Sequence, residues 1–419
     1  MEKQRVTSID IFRGLTMMLM TIVNNPGDWG NVYAPLLHAE WHGATPTDMV
    51  FPFFVFIMGT AMPFSTNENS GIDGSNFLKI LTRSLRIFNL GLFLNFFSKI
   101  KIGYLEGTPL VLIKLIISIL VAYVLLGNFK PKVKLYSAIG LFLLMIGLCF
   151  SGIETYASVR IPGVLQRIGI VYFFAALIFL GLDFRKQILA SVILLLGYWA
   201  AMALIPIPGQ TTGNYEIGTN LAAWLDNYLL PGHLWATSKT WDPEGILSTF
   251  PAIVTALLGI WTGKLLQNKG TTSFKWLIGL GVVLIVAGKV WGFIFPINKA
   301  LWTSSYVLFA GGCAMVVLAA VEVIFKSGKP KGLVKFLIMW GVNPMIVFYG
   351  SGIIPRALNA IKIPSGEESL ALLEYFYEKA LVSIFNNPMN SSLAYAISYL
   401  VFWSVILYFL DRRKLVFKV

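Results

Sequence analysis

The chain has 419 residues, of which 56% are hydrophobic and 13% are charged, and its mean hydropathy is +0.72. Soluble domains carry about 25% charged residues, so this composition excludes a soluble multi-domain protein and a disordered chain. The net charge of +13 does not indicate a nucleic-acid partner, because surplus lysine and arginine is typical of the cytoplasmic loops of multi-span membrane proteins.

Long apolar runs recur along the whole chain, and each is close to the ~20 residues that a membrane-spanning helix needs. The runs are continuous and do not alternate, which favours helices over a membrane β-barrel. We therefore predict an all-α polytopic membrane bundle of about 11–12 transmembrane helices, forming a single domain over residues 1–419. The predicted spans are 7–24, 48–65, 77–97, 109–127, 133–150, 161–181, 187–205, 246–266, 275–296, 301–325, 333–351 and 391–410.

The distribution of basic residues predicts the orientation of these spans. With the N-terminus inside and the sides alternating, 19 lysines and arginines lie on the inner side and 8 on the outer side. Because cytoplasmic loops are enriched in these residues, we expect both termini in the cytoplasm. The three longest connections, 25–47, 206–245 and 352–390, are then outer loops. The first run is expected to stay as a span and not to be a cleaved signal peptide, since no small-residue cleavage site follows it.

All three histidines, His38, His42 and His233, fall in the predicted outer loops. Histidine titrates near neutral pH without help from its surroundings. A single loop histidine is usually solvated or a capping residue, but two within five residues, beside Trp41 and Asp48, indicate a candidate site.

A metal site at these two histidines is the weaker interpretation. His38 and His42 are four residues apart, yet the zinc-protease pattern requires Glu directly after the first His, and Ala39 stands there. Gly43 follows His42 at once, so a helix through this segment is doubtful. We predict no metal.

Two segments have the pattern of a helix start on the outer side. Thr45-Pro46-Thr47-Asp48 combines an N-cap, a first-turn proline and an acid at the third position, and Asp242-Pro243-Glu244 repeats the pattern before the eighth span. Helix N-termini attract anionic groups. Capping and function are therefore compatible at both places.

Charged residues within spans are costly and are candidates for function. Asp10 and Arg13 are three residues apart and are predicted to pair on one helix face. Arg83 and Arg86 either reach toward lipid headgroups or bind phosphate from the cytoplasm. Arg167 is expected to pair with an acid.

Four further residues within spans have structural interpretations. Asn343-Pro344 predicts a kink in the eleventh span. Cys149 and Cys313 each lie in an apolar run, where we expect small core residues and no disulfide.

Five segments together resemble the heparan-α-glucosaminide N-acetyltransferase family, in particular shorter bacterial members that lack its lumenal domain. The segments are RVTSIDIFRGLTMMLMTIVNN (5–25), HAEWHGATPTDMVFPFFVFIMG (38–59), RIPGVLQRIGIVYFF (160–174), WDPEGILSTFPAIVTALLGIWTGKLL (241–266) and PINKALWTSSYVLFAGG (296–312). The resemblance implies a multi-span enzyme, here expected in a bacterial inner membrane. It would move the acetyl group of cytosolic acetyl-CoA to the amine of an amino sugar on the other side of the membrane.

The resemblance also implies roles for single residues. His38 occupies the place of the family's catalytic histidine, as general base or acetyl carrier, and the family's asparagine at the end of the first span corresponds to Asn24 or Asn25. His42 stands where the animal enzymes usually have Asn, so the choice between His38 and His42 as base stays open. A direct ternary mechanism and an acetyl-histidine intermediate are both compatible with the sequence, with Asp48 orienting a histidine or capping the helix.

The remaining expected contacts concern the two substrates. We expect CoA phosphates to bind Arg13, Arg83 and Arg86, and the acceptor to contact a set of outer-side residues. That set is Trp41, His42, Asp242, Glu244 and Asn298.

Several alternatives stay open at this point. An amino-sugar permease is the main alternative function, although no internal repeat of the kind common in transporters is visible, and a non-catalytic scaffold would leave the clustered histidines unexplained. Free glucosamine, a glycan end and a cell-envelope amine all fit as acceptor. The expected partners are the lipid bilayer, acetyl-CoA and the acceptor, with a homodimer compatible and no nucleic acid.

Overall fold

A computed structural model describes residues 7–66, 68–269, 272–326, 331–365 and 368–417. Four basic residues of the inner-side count lie outside the described residues: Lys3, Arg5, Lys329 and Lys418. The first half of the chain forms α1 (Thr7–Val23), α2 (Val50–Ser65), α3 (Gly74–Phe97), α4 (Gly107–Leu126), α5 (Pro131–Cys149), α6 (Val164–Gly181) and α7 (Phe184–Leu204). The second half forms α8 (Leu221–Leu229), α9 (Thr249–Lys269), α10 (Ser273–Trp291), α11 (Ser304–Lys326), α12 (Lys331–Val342), α13 (Pro344–Leu358), α14 (Leu372–Phe376) and α15 (Pro388–Arg412).

Each predicted span overlaps one of these helices or the pair α12–α13. Within the described residues, nine helices are long and apolar enough to cross a membrane, and the bent pair makes a tenth. The other two predicted spans are α1, which has 17 residues, and the 24-residue α3. Both carry charged side chains, which lower their apolar character. The chain is a multi-pass membrane protein with an all-α bundle, as predicted.

The centre of the bundle is the pair α2 and α9. A Cβ atom placed on Gly59 of α2 would lie 2.0 Å from the carbonyl oxygen of Ala256, and one on Gly259 of α9 would lie 2.1 Å from that of Phe56. Small residues allow such backbone contact between membrane helices, where lipid supplies no hydrophobic driving force. These two helices are largely buried, whereas α4 and α5 are mostly exposed at the edge of the bundle.

The predicted kink at Asn343-Pro344 is confirmed. The helices on either side of it meet at an angle of 68°, because proline cannot donate the backbone hydrogen bond that would continue α12. The Asn343 amide donates to the carbonyl of Leu415 at 3.1 Å, and its oxygen accepts from the backbone N–H of Phe417 at 2.9 Å. The segment after α15 thus supplies hydrogen-bond partners for the Asn343 side chain at the break between α12 and α13.

The predicted outer loops gather at one end of the bundle, which we call the histidine end because it carries His38, His42 and His233. The Trp41 indole donates to the carbonyl of Tyr215 at 2.9 Å, and the backbone N–H of Gly43 donates to Ile297 at 2.7 Å. These contacts join loops that the alternation of sides assigns to one face.

At the opposite end, Lys264 pairs with Glu68 at 2.7 Å and Lys335 with Asp411 at 3.5 Å. Both contacts likewise join segments that were predicted to share a face.

Two of the predicted loops contain more regular structure than expected. In 352–390, α13 continues to Leu358, and an antiparallel hairpin of β1 (Lys362–Ser365) and β2 (Glu368–Ala371) leads into α14 and a π-helical turn. In 206–245, the nine-residue α8 is capped by Asn220, whose side chain accepts from the backbone N–H of Ala223.

Candidate functional site at the histidine end

His38 and Asp48 form a hydrogen-bonded pair. The Nδ1 atom of His38 lies 2.6 Å from Oδ1 of Asp48; the carboxylate side chain is 2% exposed and the histidine side chain 49% exposed. No described residue hydrogen-bonds Nε2 of His38. A buried carboxylate on one ring nitrogen and an open position on the other is an arrangement that holds a histidine in one orientation and one tautomer.

The local fold at the start of α2 places Asp48. Its Oδ2 atom accepts from the backbone N–H groups of Ala39 and Thr45, at 3.0 and 2.9 Å, and from the Thr45 hydroxyl. Its backbone carbonyl accepts from the hydroxyl of the buried Tyr306. Asp48 therefore connects the segment 38–45 to the start of the helix, and its bond from the backbone N–H of Thr45 is the one expected of an acid at the third position of a helix start. The predicted N-cap role of Thr45 is wrong, since its hydroxyl donates to Leu37 and Asp48 and caps no N–H.

His42 occupies a different environment from His38. Its Nδ1 lies 3.4 Å from the side-chain amide nitrogen of Asn298, and its Nε2 lies 3.7 Å from a carboxylate oxygen of the exposed Glu216. Asn298 is fully buried and also donates to the carbonyl of Trp41 at 2.9 Å. The structure thus brings Trp41, His42 and Asn298 together, and His38 and His42 each have a different acidic neighbour.

Asp242 and Glu244 share one cation, Arg160. The guanidinium donates to both carboxylate oxygens of Asp242, at 2.8 and 2.6 Å, and to Glu244. Both acids are buried. Although burial alone lowers the pKa of Arg160, the hydrogen bonds with Asp242 and the charge of Glu244 raise it above its ordinary value, so the guanidinium stays protonated.

The helix start predicted at Asp242 is wrong. The segment after Asp242 is a turn in which its carboxylate accepts from the backbone N–H of Glu244, and α9 begins only at Thr249. The carboxylate binds Arg160, which lies 82 residues away in sequence. This ion pair, and not the capping of a helix, determines where the side chain of Asp242 points. Sequence reasoning did not select Arg160 as a site residue.

Arg167 and Asp226 lie behind this triad. Arg167 is buried, donates to the Gly245 carbonyl at 3.0 Å and to the Ser248 hydroxyl, and lies 5.2 Å from the ring centre of Trp302. Its hydrogen bonds are to uncharged groups and not, as expected, to an acid. Burial raises the pKa of Asp226 to about 7. The negative charge of Asp242 raises this pKa further, whereas the hydrogen bond from the backbone N–H of Ile246 lowers it.

Asn24 and Asn25 line a cavity of about 240 Å³ at the histidine end. Other polar side chains in its wall are Asn95, Arg160, Gln166, Ser351 and Arg356. The Asn25 amide already donates to Thr21 at 2.8 Å, whereas no described residue hydrogen-bonds the Asn24 side chain. His38 does not line this cavity, although Arg160 joins its wall to Asp242 and Glu244.

The three predicted phosphate-binding arginines lie in the opposite half of the bundle. Arg13 pairs with Asp10 at 3.1 Å, as predicted, and donates to the Gly341 carbonyl. Arg86 is buried and donates to the Leu125 carbonyl, and Arg83 lies 4.7 Å from the ring centre of Tyr172. One nitrogen of each of the guanidinium groups of Arg83 and Arg86 is buried without a hydrogen-bond partner among the described residues.

No group of three or more His, Cys, Asp or Glu side chains in the described part of the chain is arranged to hold a metal ion. Both cysteines are free thiols; Cys149 is buried and Cys313 half-buried. Within the described residues, the fold thus brings together the hydrogen-bonded pair of His38 and Asp48, the buried ions Arg160, Asp242 and Glu244, and a cavity with polar walls.

The fold and the paired His38 define a helical membrane protein with a candidate acid–base group at one end of its bundle. The chain is similar to heparan-alpha-glucosaminide N-acetyltransferase from Homo sapiens, with 29% identity over 470 residues, and to the protein of that name from Mus musculus, with 28%. Both alignments cover 99% of this chain, and the chain spans 60% of the length of these relatives. The family resemblance predicted from the motifs is thereby confirmed; no protein-family model matches the chain.

Proposed function

We propose that this chain is a membrane N-acetyltransferase that moves the acetyl group of acetyl-CoA to the amine of an amino sugar, with His38 as the general base. The observation that carries the proposal is the pairing of His38 with the buried Asp48 at 2.6 Å, with Nε2 left open. The similarity to acetyltransferases over nearly the whole chain supports the reaction class.

The reaction consists of one acyl transfer. The neutral amine attacks the thioester carbonyl carbon, a C–N bond forms and the C–S bond breaks. The Nε2 atom of His38 accepts the proton that the amine loses and returns it to the departing thiolate, so that N-acetyl sugar and free CoA are the products. If the acetyl group first passes to Nε2, the same open nitrogen is the nucleophile.

Asp48 fixes the state of His38 that this step needs. A carboxylate that accepts from Nδ1–H leaves Nε2 unprotonated and stabilises the imidazolium that forms during the transfer. His42 is less suited, because its ring nitrogens face Asn298 and an exposed glutamate.

The polar cavity supplies the other functions that acyl transfer requires. The side-chain amide of Asn24 is a free donor at its wall, and such donors stabilise the oxyanion of a tetrahedral intermediate. Arg160 connects this wall to Asp242 and Glu244, which with Trp41, His42 and Asn298 form the proposed acceptor surface. The unused nitrogens of Arg83 and Arg86, with Arg13, are the proposed partners of CoA phosphates on the cytoplasmic side.

The deciding experiment uses purified protein in detergent with acetyl-CoA and glucosamine. We expect N-acetylglucosamine by mass spectrometry, with one free CoA for each product molecule. His38→Ala should abolish turnover while acetyl-CoA binding and melting temperature stay near those of the wild type. His42→Ala serves as the matched control, and we expect it to keep most of the turnover.

Two outcomes would contradict the proposal. Wild-type turnover in His38→Ala together with loss in His42→Ala would reassign the base. Transport of glucosamine into liposomes without release of CoA would show a permease instead.

A further inference from the structure

A largely apolar cavity lies among the spans in the half of the bundle opposite the histidine end. It is a groove between α7, α9 and α10 with α11 as its floor, and its volume is about 540 Å³, within the range of ligand-binding pockets. Apolar side chains from all four helices line most of it, among them Phe184, Leu258, Leu265, Val283 and Met315. Its polar side chains are Thr262, Lys264 and Asn268, and we call it the Lys264 groove.

The packing of the neighbouring helices explains why the groove exists. A Cβ atom placed on Gly312 of α11 would lie 2.5 Å from the carbonyl oxygen of Gly281 in α10, so these two helices are in backbone contact. On the other side, the Trp261 indole of α9 donates to the side-chain oxygen of Gln187 in α7 at 3.0 Å. Because α9 packs on α7 and α10 packs on α11, the groove stays open between α9 and α10 on the side that faces the bilayer, where Val283 is 63% exposed.

The groove is as long as one leaflet of a bilayer is deep. Its lining on α9 runs from Leu258 to Asn268, which covers about 15 Å of the helix axis. This is half of the ~30 Å hydrocarbon core of a membrane. Since α9 ends at Lys269, the groove reaches from the end of the span to its middle. The acyl chain of a phospholipid occupies the same depth.

Hydrogen-bond donors are available at the polar end of the groove. The Lys264 ammonium lies 2.8 and 2.7 Å from the two carboxylate oxygens of Glu68 and 5.8 Å from the ring centre of Phe184. An ammonium group has three N–H donors, so one remains beside this pair. One turn further along α9, the Asn268 side chain has no hydrogen-bond partner among the described residues. A phosphodiester accepts hydrogen bonds from both kinds of group.

The charges at this end of the groove favour an anion. Arg185 follows Phe184 in the first turn of α7, Lys275 lies in the first turn of α10, and both are exposed. Neither has an acidic partner in the described part of the chain, whereas Lys264 is matched by Glu68. Basic pockets between membrane helices bind the headgroups of anionic lipids.

We propose that the Lys264 groove binds one anionic phospholipid, with an acyl chain between α9 and α10 and the phosphate at Lys264 and Asn268. Water is a poor occupant of so apolar a groove, and the groove opens to the bilayer, so the occupant comes from the membrane. Arg185 and Lys275 select a headgroup with a net negative charge over a zwitterionic one. This site is separate from the proposed acetyl transfer.

The test measures which lipid the purified protein retains. Wild-type protein in a neutral detergent is mixed with equal amounts of phosphatidylglycerol and phosphatidylcholine that carry the same acyl chains, and native mass spectrometry counts the bound lipids. We expect saturable binding of one phosphatidylglycerol. Arg185→Ala and Lys275→Ala should each weaken it about fivefold. Lys132→Ala, which removes an exposed lysine from the first turn of α5, is the matched control and should leave it unchanged.

Further variants test the headgroup and the acyl chain separately. Glu68→Gln removes the charge that neutralises Lys264, so it should tighten binding of phosphatidylglycerol although it deletes an ion pair. Val283→Trp fills the groove from its α10 wall and should abolish retention. Val286→Trp replaces another exposed valine of α10 that does not line the groove, and we expect it to retain the lipid. Melting temperatures in detergent show that each variant is folded.

Glycerophosphate, which has the phosphate but no acyl chain, tests the headgroup alone, and we expect it not to displace the lipid. Equal retention of both lipids by the wild type, displacement by glycerophosphate, or full retention of phosphatidylglycerol in Val283→Trp would overturn the lipid site. Because none of these measurements involves acetyl transfer, the site and the proposed function stand or fall separately.

Discussion

The hydrogen bond between His38 and Asp48 makes the proposed base depend on a residue that touches no substrate. Replacing Asp48 with Asn keeps the size of the side chain but substitutes an amide donor or a neutral acceptor for the carboxylate. The imidazole then loses both its fixed tautomer and the charge that stabilises its protonated form. We expect Asp48→Asn to lower kcat by roughly 10²–10⁴-fold, as expected for loss of a carboxylate that orients a catalytic histidine.

Steady-state kinetics with saturating acetyl-CoA would measure this loss. Asp28→Asn is the matched control, because Asp28 lies in the same loop and, among the described residues, its carboxylate accepts hydrogen bonds from Gly30 and Asn31 alone. Equal kcat values for Asp48→Asn and Asp28→Asn would rule out an orienting role for Asp48.

Asp226 predicts how stability depends on pH. Its pKa in the folded protein is raised to about 7 by burial, whereas an unfolded aspartate titrates near 4. The folded state therefore retains a proton between about pH 4 and 7 that the unfolded chain releases. The stabilisation is complete below pH 4 and is lost as the pH rises through 7, by up to about 4 kcal/mol.

Thermal unfolding in detergent at pH 5 and pH 8 would measure this effect. Asp226→Asn removes the titrating group but keeps an oxygen for the backbone N–H of Ile246. From pH 5 to pH 8 the melting temperature of the wild type should decrease, and that of Asp226→Asn should decrease by a few degrees less. Asp183→Asn, at an exposed cap of α7, should behave as the wild type. An identical pH response in Asp226→Asn would contradict the assignment.

Local sequence predicted only some of these residues. His38 and Asp48 are ten positions apart in one segment, so their proximity followed from the motif. Arg160 and Asp242 are joined across 82 residues, and nothing in the neighbourhood of either one indicates the other. The sequence likewise does not distinguish Asn24 from Asn25. The structure shows that the Asn25 amide donates to the carbonyl of Thr21, because Asn25 follows the end of α1.

Among the elements, the contact of α2 with α9 is the one most sensitive to added volume. We expect Gly259→Ala to destabilise the protein by about 1–3 kcal/mol, because its Cβ would overlap the Phe56 carbonyl and the two helices would have to move apart. Gly279→Ala in α10 is the matched control: outside its own helix backbone, no atom of the described residues lies within 4 Å of its Cβ position, and alanine favours helix. Melting temperatures in detergent would measure both, and equal values would mean that α2 and α9 separate at no cost.

The spans themselves were predictable, because their length and apolarity follow from the thickness of the bilayer. The kink at Asn343-Pro344 was also predictable from local sequence, because proline lacks the backbone N–H that would continue the helix. The start of α9 was not, since the Asp242-Pro243 pattern carries the same local signal whether the carboxylate caps a helix or binds a distant arginine.

At the scale of the whole molecule, the proposed reaction depends on the orientation of the bundle in the membrane. The predicted alternation of sides places the histidine end away from the cytoplasm. We expect a cysteine introduced at the exposed Trp29 to react with a membrane-impermeant maleimide in intact cells, and one at the exposed Lys132 to react only after permeabilisation.

Cys149 and Cys313 would first be replaced by alanine, and this cysteine-free protein is the control for background labelling. The reverse pattern, with labelling at position 132 alone in intact cells, would put His38 on the cytoplasmic face. With His38 on that face, the acetyl group would not have to cross the membrane.

The contacts of Asn343 with Leu415 and Phe417 bear on how the protein is synthesised. The two helices on either side of the break emerge from the ribosome more than fifty residues before the tail that supplies these bonds. During membrane insertion the side chain of Asn343 therefore lacks these two hydrogen bonds until the tail is synthesised, and it is hydrated or bound to a chaperone during that time. These hydrogen bonds of Asn343 therefore form only after both α12 and α13 have been synthesised.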